Sequence, residues 1–269
     1  MTNLDQTIVE YWNRQPCNIN HSSEPVGSES YFQQVTEKRY RAEPHVLDFA
    51  KFHLWRGRRV LEIGCGIGTD AEQFARHGAH YVGIDISSMS IQICQDRFTI
   101  LDLPGEFHEG SVTDFDFLSG LGKFDLVYSY GVLHHFPGIE SHIKNIHSVL
   151  EEDGEFRFMV YARNSWKYAM IQKGLDQFEA QAECPYADAY TKEEIRSILE
   201  HNRFQVERIR QDHCFMYNVE EYKKGNFVLE PWFAAMPDLM REAVREYLGW
   251  HLLVKARKIN SCFYPNSSV

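Results

Sequence analysis

The sequence predicts an α/β fold built on a mostly parallel sheet, and three observations predict it. From about residue 58 onward, short aliphatic or β-branched runs alternate with amphipathic segments, the pattern of βαβ units. In the stretch VLEIGCGIGTD, residues 60–70, three glycines at alternate positions follow an apolar run and lead into a helix. The chain has 269 residues, 43% of them hydrophobic and 25% charged, enough to bury a sizeable core around such a sheet.

In chain order, strands are expected at residues 59–63, 81–86, 106–112, 124–130 and 155–161. Between the first two lies a helix over 69–77. Another helix over 139–150 places Ile139, Ile143, Ile146 and Leu150 on one face at helical spacing. Asp153-Gly154 then supplies a turn into the fifth strand. Thr191 and Glu194 form a capping box ahead of Ile195, Ile198 and Leu199, so a helix starts there. Strands at 204–209 and 251–258 bring the total to about seven.

Three aromatic-rich stretches fall outside this alternation: the first 50 or so residues, 164–190 and 222–248. Additions of this kind form lids and substrate walls beyond the carboxyl ends of the strands, or else cover sheet edges. The chain thus divides into an N-terminal lid or substrate cap (1–57), a nucleoside-binding core (58–163), a cap insertion (164–190) and the remainder of the core (191–269), with a helical insertion at about 222–248.

The net charge of −10 argues against nucleic acid or anionic membranes as partners, since no basic face compensates for it. The short basic runs at 56–59 and 255–258 read as solvated strand ends. The N-terminus lacks a basic region followed by an apolar stretch, and no segment reaches the length of a membrane span, so a cytoplasmic location is expected. Six cysteines without a CxxC pair point to free thiols, and no metal site is expected.

The glycine loop carries the chemistry. A dinucleotide fingerprint has glycines at the first, third and sixth positions, but the sixth position counted from Gly64 is Thr69, and the third glycine is Gly68. Glu62 stands two residues before the loop. A pyrophosphate gains nothing from that carboxylate, whereas a ligand with an ammonium and a sulfonium does. The bland reading of GxGxG is a tight turn. The next strand ends at Asp85, whose carboxylate can accept both hydroxyls of a ribose. Its bland reading is a helix N-cap, with Ser87 and Ser88 as rivals. Together the two features favour a nucleoside site.

VLEIGCGIGTD, GIDIS, GSVTDFDF, FDLVYSYGVLHHF and LEEDGEFRFMVY, in this order and spacing, resemble the class I S-adenosylmethionine-dependent methyltransferases. The resemblance is strong over 58–163 and looser over 191–206 and the closing GWHLLVKARK. It implies a Rossmann-like, doubly wound, seven-stranded sheet with the last strand antiparallel, S-adenosyl-L-methionine as cofactor and S-adenosyl-L-homocysteine as product. It also implies that Glu62, Gly64, Cys65, Gly66 and Gly68 surround the methionine part, and that Asp85 with Ile86 holds the ribose. Val112 would flank the adenine, while Ser111 stands where the family usually has an acidic residue and Asp114 is too far along to replace it. Ser129 and Tyr130 would offer backbone groups to the methionine end.

Methyl transfer from a sulfonium is an in-line displacement that depends on positioning and on excluding water. An oxygen acceptor protonated at neutral pH also needs a base. His134 and His135, after the fourth strand, are the candidates; the alternative is that they only hydrogen-bond backbone. In the N-terminal segment Tyr11 could close over the cofactor carboxylate, and Arg14 could pair with that carboxylate or with an acidic acceptor, unless the segment merely packs on the sheet. Tyr31, Tyr40, Trp166, Tyr168, Gln181 and Tyr190 are candidates, as a group, for the acceptor pocket.

The resulting expectation is methyl transfer to an O or N atom of a small molecule or short peptide, in an aromatic-lined pocket under a lid. Its alternatives are a non-catalytic regulatory protein that binds the same cofactor and an NAD-dependent oxidoreductase; the glycine spacing and the lack of a Tyr-x-x-x-Lys pair count against the latter. The monomer and the homodimer are both open, with residues 232–233 available to an interface.

Overall fold

The computed structural model describes residues 3–174 and 184–259. Eight strands form one sheet: β1 Arg59–Ile63, β2 His80–Asp85, β3 Glu106–Glu109, β4 Phe124–Tyr130, β5 Leu150–Ala162, β6 Ala189–Tyr190, β7 Phe204–Asp212 and β8 His251–Lys258. Their order is β3-β2-β1-β4-β5-β8-β7, with β6 paired beside the end of β5. All pairs are parallel except those of β8, which runs antiparallel to both β5 and β7.

Twelve α-helices accompany the sheet among the described residues: α1 Asn3–Arg14, α2 Glu29–Ala42, α3 His45–Ala50, α4 Thr69–Arg76, α5 Ser88–Ile100, α6 Phe115–Gly120, α7 Ile139–Val149, α8 Trp166–Gln172, α9 Lys192–His201, α10 Val219–Lys223, α11 Pro231–Ala234 and α12 Asp238–Leu248. None of them is long and apolar enough to cross a membrane. No disulfide forms among the described cysteines.

The sheet is sandwiched because successive strand side chains point to opposite faces. In β1, Leu61 joins Ile143 and Ile146 of α7 and Leu199 of α9 on one side. Its neighbour Val60 joins Phe49 of α3, Phe74 of α4 and Phe98 of α5 on the other. Parallel strands buried on both faces read as continuous apolar runs, which is why these were legible.

Several boundaries differ from the sequence reading. The Asp153-Gly154 turn is not the entry to β5 but a bulge inside it: Leu150 already pairs with Phe124, and Asp153 adopts φ +64°. β3 stops at Glu109 because Ser111 Oγ turns back to accept the Thr113 amide at 3.2 Å. The two-residue β6 was missed, being shorter than any pattern can register. The Thr191 capping box is present as expected, with both reciprocal hydrogen bonds.

Candidate active site

The carboxyl ends of β1, β2, β4 and β5 open onto one cavity of about 1080 Å³. It lies where the strand order reverses between β1 and β4, the crevice in which doubly wound sheets bind ligands.

The loop after β1 shapes one wall. Gly64, Gly66 and Gly68 have φ of +76°, +54° and +82°, the left-handed region that only glycine enters freely. A Cβ on Gly64 would stand 2.2 Å from Val132 Cγ2, and one on Gly68 would stand 2.5 Å from Cys94 Sγ. Gly64 and Cys65 line the cavity, while Gly66 and Gly68 make the turn behind it. Arg97, fully buried, braces this turn by donating to Ile67 O at 3.0 Å and Thr69 Oγ1 at 2.9 Å.

Asp85 ties the loop to β2. Its Oδ2 accepts the Gly66 amide and its Oδ1 the Ser87 amide, both at 2.9 Å. Burial nevertheless raises its carboxyl to about 6, with the amide hydrogen bonds opposing the shift. The N-cap reading of Asp85 is overturned, since Ser87 Oγ accepts the Ser90 amide and caps α5.

Two more carboxylates face the cavity beside it. Glu62 accepts the Tyr81 hydroxyl at 2.6 Å. Burial, reinforced by neighbouring Asp70, lifts its carboxyl well above the usual range. Asp70 accepts the hydroxyls of Tyr40 at 2.9 Å and Tyr128 at 2.8 Å. An acidic wall held by tyrosine hydroxyls, with Arg39 Nη2 no nearer to Asp70 than 3.8 Å, is suited to a cationic ligand. Ser111 and Val112, beyond β3, also line the cavity, as do Ile86 and Tyr130. Ser129 does not: it is buried and donates to Ile63 O at 3.1 Å. Asp114 caps α6.

The two candidate bases separate. His135 lines the cavity and its Nδ1 lies 3.0 Å from Tyr186 O, so Nδ1 carries the proton and Nε2 the lone pair. Burial lowers its pKa to about 4. His134 is fully buried away from the cavity lining, its ring 3.9 Å from that of Tyr161, and neither ring nitrogen has a hydrogen-bond partner among the described residues. Its place is in the packing under the cavity.

In α1, Tyr11 and Trp12 line the cavity, and Trp12 meets the His135 ring edge-on at 5.2 Å. The helix is anchored through Asn13, which accepts the Met89 amide at 3.3 Å. Arg14 is exposed and lies outside the lining. Of the expected acceptor residues, Trp166 reaches the cavity, half-exposed. Tyr31 is fully buried, with its hydroxyl on Ile19 O at 2.8 Å. Tyr40 holds Asp70, Tyr168 packs on the core, and Tyr190 is buried with its hydroxyl on Asp188. These four fall outside the lining because an aromatic in an added segment packs inward on the sheet as readily as it faces a ligand. Gln181 lies outside the described residues.

Sequence reasoning missed the lining residues Arg39, Glu43, Asp70, Tyr161, His213, Trp250 and His251. A signal for the last two existed. An antiparallel final strand begins at the edge where the parallel strands end, so Trp250 and His251, at its start, belong to the ligand side.

Comparison with known proteins follows the same lines. A family model described as Methyltransferase domain matches residues 35–226. The ubiquinone biosynthesis O-methyltransferase of Aromatoleum aromaticum is 29% identical over 120 residues, 45% of this chain and 51% of that protein. The fatty-acid O-methyltransferase of Mycolicibacterium smegmatis is 31% identical over 132 residues, 47% of each. The chain therefore spans about half the length of these curated relatives. Two solved structures share the fold over nearly the whole chain. Magnesium protoporphyrin IX methyltransferase from Synechocystis PCC 6803 with bound SAM has a TM-score of 0.60 at 15% identity, covering 96% of this chain and 98% of its own. Geranyl diphosphate C-methyltransferase from Streptomyces coelicolor A3(2) has a TM-score of 0.62 at 15% identity, covering 96% and 99%.

Proposed function

The chain belongs to the methyltransferase-domain family, and from that premise we propose that it transfers the methyl group of S-adenosylmethionine to an O or N atom of a small molecule or short peptide. One observation carries the reading: an acidic wall of Glu62, Asp70 and Asp85, beside a glycine turn, opens into the same cavity as the aromatic side chains Trp166 and Trp250. The O-methyltransferases among the relatives support oxygen as the acceptor atom.

When bound, the nucleoside supplies an activated methyl group. Asp85 would take the ribose hydroxyls, Glu62 and Asp70 would offset the positive charges, and Val112 would flank the adenine. Trp12 and Tyr11 exclude water as a lid from the His135 side. His135, kept neutral by burial and presenting Nε2, would accept a proton from an acceptor hydroxyl as the new bond forms. Its low basicity suits an acceptor whose own acidity increases during transfer.

Calorimetric titration with S-adenosylhomocysteine and with NAD tests the cofactor, and binding of NAD without the sulfur nucleoside refutes it. Screening acids, phenols and amines with a labelled methyl donor tests the reaction. Cofactor binding with no transfer to any acceptor class would leave a regulatory protein in its place.

A further inference from the structure

Three histidines from separate elements meet where the large cavity adjoins a smaller cleft. His45 begins α3, His213 follows β7 and His251 begins β8, and their ligand-capable atoms lie within 4.8 Å of one another. Glu43 and Tyr130 join them. The Tyr130 hydroxyl is 2.8 Å from His45 Nε2, 3.0 Å from His251 Nδ1 and 2.9 Å from Glu43 Oε2. His45 Nε2 is 3.2 Å from His251 Nδ1, and Glu43 Oε2 is 3.5 Å from His251 Nδ1 and 3.9 Å from His45 Nε2.

These six distances are the edges of one tetrahedron. Ligands at about 2.0–2.1 Å from a tetrahedral zinc ion stand about 3.3–3.4 Å apart, within the 2.8–3.9 Å range of the edges. The four atoms can share only the Tyr130 proton and one proton from each neutral imidazole. Tyr130 can donate to Glu43 and accept from both imidazole N–H groups, which accounts for the 2.9, 2.8 and 3.0 Å edges, while the edges of 3.2, 3.5 and 3.9 Å then carry no hydrogen bond and zinc binding would release the protons that lie between the four atoms. A cation at the centre accepts from all four atoms at once. The His213 ring stacks on His251 at 4.4 Å, placing a further nitrogen beside the cluster.

We infer that Glu43, Tyr130, His45 and His251, with His213 beside them, form a binding site for one divalent first-row transition-metal ion such as zinc. The donor set of imidazoles and oxygens suits that class of ion and not magnesium or calcium, which take oxygen alone. Glu43 and His45 flank the α2–α3 junction, whereas Tyr130 ends β4 and His251 begins β8, so no contiguous motif announces the set. Glu43 is fixed by its ion pair with Arg39, which orients the carboxylate toward the cluster. Glu43, Tyr130, His213 and His251 line the large cavity, while His45 and His213 line a smaller cleft behind it, so the site is reachable from either side. The site stands on this geometry alone and is independent of the methyl-transfer reading.

The test is titration of tag-free, chelator-treated full-length protein with cobalt(II), followed by its visible d–d absorption, and with zinc in a competition assay. One equivalent of cobalt with an intense tetrahedral spectrum, displaced by one equivalent of zinc, is expected. Replacing a ligand, as in His45→Asn or His251→Gln, should weaken zinc at least about 100-fold and abolish the spectrum, whereas His108→Ala on the exposed edge should change neither. A wild-type protein with no stoichiometric cobalt spectrum overturns the inference, and so does undiminished binding by both folded ligand variants. If both variants fail to fold, zinc must still raise the melting temperature of the wild type by a saturable amount at one equivalent. Its failure to do so is equally fatal.

Discussion

Replacing Asp85 with alanine isolates the nucleoside site. Each carboxylate oxygen accepts one loop amide at 2.9 Å, from Gly66 and from Ser87, and each retains a second lone-pair direction. Two ribose hydroxyls can therefore be accepted without breaking either amide bond. Hydrogen bonds to a charged group contribute about 1.5–3 kcal/mol each, and two on one carboxylate are not additive, so the loss should be about 2–4 kcal/mol. That is roughly 30- to 1000-fold in Kd for S-adenosylhomocysteine by isothermal titration calorimetry. Asp85→Asn should fall between, because one amide oxygen still accepts while the NH2 group must face an N–H donor.

Protonation adds an independent readout. Burial lifts the Asp85 carboxyl to about 6, so the protonated form dominates below that pH and the ionised, hydrogen-bond-accepting form above it. Affinity should rise with pH through about 6 and level off above it, and Asp85→Ala should lose that inflection. In the ligand-free protein the same raised value acts in the other direction: stability carried by the neutral carboxyl is present at acid pH and lost as pH rises toward 6. Unchanged affinity in Asp85→Ala, with the inflection intact, would refute the assignment of the ribose to this residue.

Three further outcomes follow from the same wall. Gly64→Ala should lower the melting temperature more than Gly66→Ala, because both enter a left-handed conformation costing about 1–3 kcal/mol, but only the Gly64 Cβ meets an atom, Val132 Cγ2 at 2.2 Å; equal effects would show the loop to be pliable. Arg97→Leu removes a guanidinium that bonds Glu72, Ile67 O, Thr69, Phe32 O and Thr36, and should cost about 3–5 kcal/mol in denaturant unfolding; a loss under 1 kcal/mol would mean the network relaxes around the gap. Burial, reinforced by Asp70, pushes the Glu62 carboxyl well above the usual range and a cationic ligand would draw it back down, so S-adenosylmethionine binding should release protons at a pH where the ligand-free carboxyl is protonated. Calorimetry in buffers of different ionisation enthalpy measures that release, and a slope of zero contradicts it.

The sheet was legible because its signals are local. β1, β4 and β8 match their expected bounds residue for residue, since each is a mostly apolar run that the sheet buries. The capping box at Thr191 and the face of Ile139, Ile143 and Ile146 on α7 are equally local, being set by one helical turn. For the same reason one wall of the cavity could be read: the glycine turn, Glu62 and Asp85 sit at the ends of strands, where sequence position fixes location. The Ser129 side chain turns inward, one step of the pleat from Tyr130, which faces the cavity.

The aromatic lining of the cavity was not legible. Tyr31 and Trp166 are both aromatics in added segments, yet one is fully buried against Ile19 and the other half-exposed at the cavity, and nothing local distinguishes them. Paired His134 and His135 are neighbours in sequence, but a short 3₁₀ turn sends one into the core and the other to the cavity. By itself the sequence determined the sheet, its glycine turn and the carboxylates that flank it, because each depends on residues a turn or a strand apart. Only the tertiary structure decided which aromatic side chains line the cavity and that His45, His213 and His251 stand together, because side chains about 40 to 200 residues apart meet only through the packing of whole elements.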